Sequence, residues 1–172
     1  MRKFILLFAT IAATLSWAAT FRAASAATAA ATAAAPEVAF PTGYRAWRHV
    51  KSMIIEPGHP LSGLVEGTHH LYANAKALQG YRKRPFADGS VIVFDLLKTE
   101  RGDKAITEGG RKAVIVMQKD SKRFASTGGW GFEVFAEGRS DARKVGNAAH
   151  DTCFTCHTSE RSRDFVFSEY RD

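Results

Sequence analysis

The stretch "CFTCH", from Cys153 to His157, holds the only two cysteines of a 172-residue chain and sets a histidine directly after the second. Four chemistries use a Cys-x-x-Cys pair. A disulfide between Cys153 and Cys156 suits an oxidising compartment, but it closes a very short loop and constrains the unfolded chain little. A thioredoxin-type redox pair belongs at a helix start, after a strand and inside a βαβ pattern, whereas this pair falls near the C-terminus. A structural zinc site needs a second pair of ligands at similar spacing, and His49, His59, His69, His70 and His150 offer none. The fourth is covalent haem attachment through Cys-x-x-Cys-His. Each thiol forms a thioether with one haem vinyl group, and the adjacent imidazole, His157, is the axial ligand of the iron. One helical turn suits this spacing, with both sulfurs and the imidazole against one edge and face of the porphyrin. The complete motif in an exported chain favours one covalent haem c, with the short disulfide as the alternative.

The place of the motif bears on the iron's second axial position. After His157 the chain reads "TSERSRDFVFSEYRD", without Met or His. The methionine that follows the motif in small electron-carrying cytochromes is therefore missing. Other candidates lie upstream. Met117 is a possible sixth ligand, although a strand methionine is more often core filler. His69 and His70 fall on opposite faces of a strand, so one of them can point at haem. Arg123 is a candidate partner for a haem propionate.

The elements that must hold these residues follow from the rest of the chain. "MRKFILLFATIAATLSWAATFRAASA" has a charged start, an apolar run and a small-residue site at Ala24–Ser25–Ala26. It reads as a secretory signal peptide over residues 1–26, cleaved on export to the periplasm. Residues 27–37 form an Ala/Thr-rich linker with too little apolar bulk to bury itself. Residues 38–172 are long enough for one domain with its own core. Removing Arg2, Lys3 and Arg22 with the signal takes the formal charge from +7 to +4. That mild excess identifies no partner, and the basic run "YRKRPF" lacks a nucleic-acid recognition motif.

Upstream of the Cys-x-x-Cys-His motif the chain reads as strands. "DGSVIVFDLL" (88–97) and "GGWGFEVFAEG" (128–138) are bounded by turn residues and rich in β-branched and aromatic side chains. "RKAVIVMQKD" (111–120) is a strand entered from a Gly109–Gly110 turn, and "THHLYAN" (68–74) is a fourth. Helices are expected over 44–53, over 73–78 and around the haem motif. No apolar stripe is long enough for four bundle helices. The expected class is α+β: a small antiparallel sheet with a few helices and the c-type haem on one face. Trp130, Phe132 and Phe135 fit core or haem-edge packing.

"FADGSVIVFDLL", "VMQKDSKRF", "GGWGFEVF", "CFTCH" and "DFVFSEYR" together resemble the cytochrome P-460 family, which includes the cytochromes c′-beta. The likeness runs from "FPTGYRAWRHV" at Phe40 to Arg171. It implies a β-rich homodimer with covalent haem, His157 on one side of a five-coordinate iron and an open distal side. Hydroxylamine-oxidising members carry a lysine that crosslinks to the macrocycle and a distal carboxylate. By that resemblance Phe94 stands where the lysine would be and Ile115 near the carboxylate. Lys98 is the remaining candidate for a crosslink. Neither Phe94 nor Ile115 accepts a proton, which hydroxylamine oxidation requires, so the resemblance points to the cytochrome c′-beta branch.

Three functions follow as expectations. The first is a periplasmic haem protein that binds NO- or CO-type gases in an apolar pocket. The second is a hydroxylamine or NO oxidoreductase. The third is an electron carrier that meets a small redox partner.

Overall fold

A computed structural model describes residues 37–171. The expected signal peptide and all but the last residue of the expected linker lie outside the described residues. Five strands form one antiparallel sheet in chain order: β1 (Arg48–Ile55), β2 (Gly67–Ala73), β3 (Val91–Gly102), β4 (Ala105–Lys119) and β5 (Trp130–Ala136). Two short helices sit in the connections, α1 (Ser62–Val65) and α2 (Ala75–Arg82), and a third, α3 (Thr155–His157), lies near the C-terminus. The fold is α+β. No described helix is long and apolar enough to cross a membrane.

The sheet is a meander because each link is local. Asn74 starts α2 with its side chain, which accepts a hydrogen bond from the Ala77 N–H at 2.9 Å. The same amide accepts from Val91 N–H and donates to the Gly89 carbonyl, so one residue closes β2 onto β3. β3 and β4 turn over at Asp103 and Lys104, both left-handed, with φ of 50° and 59°. This corrects the expected turn at Gly109–Gly110. Those glycines lie inside β4, close to where the β3–β4 register slips. Glycine in a strand often marks such a bulge rather than its end.

The expected helix over 44–53 is also corrected. Tyr44–Ala46 is a single 3₁₀ turn, Trp47 is extended, and β1 follows. Tyr44, Trp47 and Val50 recur at intervals of three and imitate a helical stripe. A bulge between His49 and Lys51 breaks the alternation that would have revealed the strand.

The two-residue period gives the sheet two faces, each with its own core. On one face Leu71, Ala73, Ile92, Trp130 and Phe132 pack with Ala77 and Tyr81 of α2 and with Phe154, Phe165 and Val166 of the C-terminal segment. On the other, Val93, Val114, Val116 and Phe135 are covered by Val38, Tyr44 and Phe124. The C-terminal segment that carries the cysteines therefore lies on the first face.

Candidate functional site

Cys153, Cys156 and His157 share one helical run. His150–Phe154 is a π-type turn, α3 follows, and a 3₁₀ segment continues over Thr158–Arg163. Phe154, between the two cysteines, is the buried anchor and stands 5.1 Å from Phe165, ring centre to ring centre. Cys153 is half-buried against the first-face core, while Cys156 is exposed. Both thiols are free. Burial, then the charges of Glu133 and Cys156, pushes the Cys153 thiol up to about 11. A redox-active pair needs a lowered thiol pKa, so this environment does not suit thioredoxin-type exchange. Among the described residues no cluster of His, Cys, Asp and Glu has a metal-holding arrangement.

Helix entry is set by Glu133, a residue the sequence reading passed over. Its buried carboxylate accepts from the N–H groups of Val134 at 2.9 Å and Val145 at 2.8 Å, and also from Lys144 and Gly146. Burial raises its pKa, and these backbone bonds more than offset that, so it titrates below the ordinary carboxylate value. A lone Glu in "WGFEVFA" was the available signal.

His157 donates from Nδ1 to the Phe165 carbonyl at 2.7 Å. A carbonyl only accepts, so Nδ1 carries the proton and Nε2 carries the lone pair that could ligate a metal. Burial lowers the imidazole's pKa, against opposing pulls from the Phe165 carbonyl and Glu160, and so favours the neutral ring a metal requires. Phe132 and Phe167 flank it, with ring centres at 5.0 and 4.9 Å.

The Phe165 carbonyl is itself held. Asp164 and Phe165 are both left-handed, with φ of 54° and 63°, a conformation that non-glycine residues keep only when their surroundings enforce it. The Asp164 carboxylate accepts from Lys119 Nζ at 2.7 Å and from the Phe86 N–H at 2.9 Å. The Trp130 indole donates to the Asp164 carbonyl at 2.9 Å. Lys119 Nζ also donates to the Gly128 carbonyl and lies 5.0 Å over the Trp130 ring. Three distant stretches thus meet at Asp164, directly before the residue whose carbonyl orients His157.

Phe94 and Ile115 are directly paired across β3 and β4. Both are half-buried on the sheet face that carries the motif, with Met117 and Val134 beside them. Two thiols, an imidazole with its Nε2 lone pair unprotonated and a partly open apolar surface are a donor set and lining that fit a covalently held haem.

A family model for cytochrome P460 matches residues 41–168. The chain belongs to the cytochrome P460 family. No curated protein matches it. Membership of the cytochrome P460 family implies haem as cofactor and a haem protein of that kind.

In this cytochrome P460 chain the remaining candidates disperse. Phe135 turns to the opposite face and stacks edge-on against Phe40, so of the three aromatic candidates only Trp130 and Phe132 share the site's face. Arg123 donates to the Glu37 carbonyl and lies over Phe124. Lys98 is exposed in a surface cleft with Ile55, Glu66 and Lys112. His70 contacts Ser52 at 2.6 Å and Glu108 at 2.6 Å. His69 instead lies on Phe94's side of the sheet and stacks on that ring at 3.9 Å.

Proposed function

We propose that this chain is an exported c-type haem protein that binds small neutral diatomic gases such as NO and CO. Cys153 and Cys156 would hold the haem through two thioethers, and His157 would be its axial ligand. The haem would supply a five-coordinate iron with one position open to such a gas. The observation that carries the reading is the His157 ring, with its Nδ1 proton committed to the Phe165 carbonyl beside both thiols. That bond fixes the tautomer and orients the ring, as partners behind metal-bound histidines generally do.

Gas binding is preferred to oxidation because Phe94 and Ile115, the directly paired residues of this lining, carry no proton-accepting group. The cytochrome P460 resemblance puts a crosslinking lysine and a carboxylate there in the oxidising members, and this chain has neither residue type at those positions. We also propose cleavage after Ala26, a periplasmic location and a homodimer. Edge strand β1, with Met53 and Ile54 exposed, offers apolar surface for association.

The test uses protein matured in a host that attaches haem c. Haem should resist acid–acetone extraction, and intact mass should equal the mature chain plus one haem with no hydrogen lost to a third bond. The ferric form should be mainly high-spin, the ferrous form should take up CO and NO, and hydroxylamine turnover should stay near background. Extractable haem overturns the attachment. A haem–lysine peptide or robust turnover promotes the oxidoreductase. A low-spin spectrum that becomes high-spin in Met117→Ala promotes the electron carrier.

A further inference from the structure

His69 is 1% exposed, and neither ring nitrogen has a hydrogen-bond partner among the described residues. A neutral imidazole presents one donor and one acceptor, and buried polar atoms in folded proteins are nearly always paired. Both functions of His69 are left over, which is unusual for a side chain at the centre of a sheet. Its strand position explains why it lies inside: β2 pairs it with Leu96 on one side and Met53 on the other. Phe94 is the ring that covers it, 3.9 Å away and tilted by only 19°. Phe94 in turn is half-buried, paired with Ile115 and packed on the same core as Cys153. His69 and Phe94 are therefore stacked neighbours on the sheet face that carries the motif, with the phenyl ring covering one face of the buried imidazole.

We propose that His69 is the hydrogen-bonding residue of this ligand pocket, screened by Phe94 and reached only by ligands that turn that ring aside. The inference rests on the haem reading above and assigns the pocket a second ligand class. Neutral diatomics meet the phenyl face. Small ligands with a charged or strongly electronegative terminal atom gain the imidazole N–H once the ring moves. Burial, then the charges of His70 and Lys51, lowers the His69 pKa to about 4, so the ring is neutral in ordinary buffers and keeps both an N–H and a lone pair. Phe94 is then a specificity-determining residue because of what it covers as well as what it fills.

Fluoride is the probe: a small anion that binds ferric haem and accepts a hydrogen bond. Holoprotein is titrated as wild type, Phe94→Ala, His69→Leu and the double variant. Phe94→Ala should bind fluoride about ten- to a hundred-fold more tightly than the double variant, the effect of one hydrogen bond to a charged acceptor. With Phe94 in place, His69→Leu should change fluoride affinity less than about three-fold. Ferrous CO gives a second readout: its stretching band should move to lower frequency in Phe94→Ala and return in the double variant. His69→Gln in the Phe94→Ala background should restore part of the fluoride gain, because the amide still donates. Phe94→Leu replaces Phe94→Ala as background if the alanine variant does not fold. Equal fluoride affinity with and without His69 in the open background overturns the inference while leaving a covalent haem protein. A chain that acquires no haem overturns the reading on which it rests.

Discussion

Asp164→Asn and Lys119→Met test whether the clamp behind His157 orients the ring. Lys119 Nζ and the Asp164 carboxylate are 2.7 Å apart, with side chains only 9% and 12% exposed. At an effective dielectric of about 20 their gross attraction is about 6 kcal/mol, much of it offset by desolvation of both groups. Removing one partner of a buried pair typically costs about 3–5 kcal/mol. The slight exposure here places Lys119→Met near the lower end, about 3 kcal/mol. It leaves Asp164 with the Phe86 N–H, whereas Asp164→Asn leaves Lys119 with the Gly128 carbonyl and the Trp130 ring. The double variant should be less destabilised than the two losses combined, by about 1–3 kcal/mol of coupling. Denaturant unfolding of the four proteins gives this cycle. A purely structural pair would stop there. If the pair also holds the turn at Asp164 and Phe165, each single variant should shift the iron–histidine stretching band and the reduction potential of the folded holoprotein, because the Phe165 carbonyl that His157 donates to is no longer fixed. Additive stabilities, or a coupled pair with an unchanged iron–histidine band, would refute the reasoning.

His69 gives a pH dependence with a definite sign. Its folded pKa of about 4 lies below the ordinary 6.5, so between those values the unfolded chain binds the proton more readily. Stability should therefore rise with pH across that window, with about 2 kcal/mol lost between neutral pH and pH 5. His69→Leu should remove that slope in pH-dependent unfolding. Glu133 acts further down: its depressed carboxyl contributes stability above the ordinary Glu value and loses it as pH falls through the folded value. Glu133→Gln should cost about 2 kcal/mol and increase hydrogen exchange at Lys144–Gly146. Gly128→Ala should cost about 1–3 kcal/mol in thermal unfolding, because Gly128 is left-handed at φ +64° and a Cβ there would lie 2.5 Å from the Phe165 ring.

The Cys-x-x-Cys-His motif was legible because it sits in five consecutive residues, and β3, β4 and β5 because they are rich in β-branched and aromatic side chains. β1 was not, since Tyr44, Trp47 and Val50 are spaced like a helix and a bulge hides the strand. Strand parity put Ile115 and Met117 on one face but had no means to choose between His69 and His70. Their burial depends on what covers each face, and the cover comes from residues far away in the chain.

The clamp joins three of the stretches that carry the resemblance beyond the cysteines. Lys119 belongs to "VMQKDSKRF", Trp130 to "GGWGFEVF", and Asp164 and Phe165 to "DFVFSEYR". Lys119 and Asp164 are 45 positions apart, and Trp130 and Asp164 are 34 apart. No periodicity relates residues at such separations, so each stretch read alone is a strand end, a glycine turn or a tail. Folding brings them to Asp164, and the next carbonyl along the chain, that of Phe165, accepts the hydrogen bond from His157 Nδ1. Cys-x-x-Cys-His supplies thiols and an imidazole wherever it occurs. It does not decide which ring nitrogen carries the proton or how firmly the ring is held. The Phe165 carbonyl sets the first, Lys119, Trp130 and Asp164 hold the residue before it, and a chain that kept the motif while losing them would present a less firmly oriented histidine.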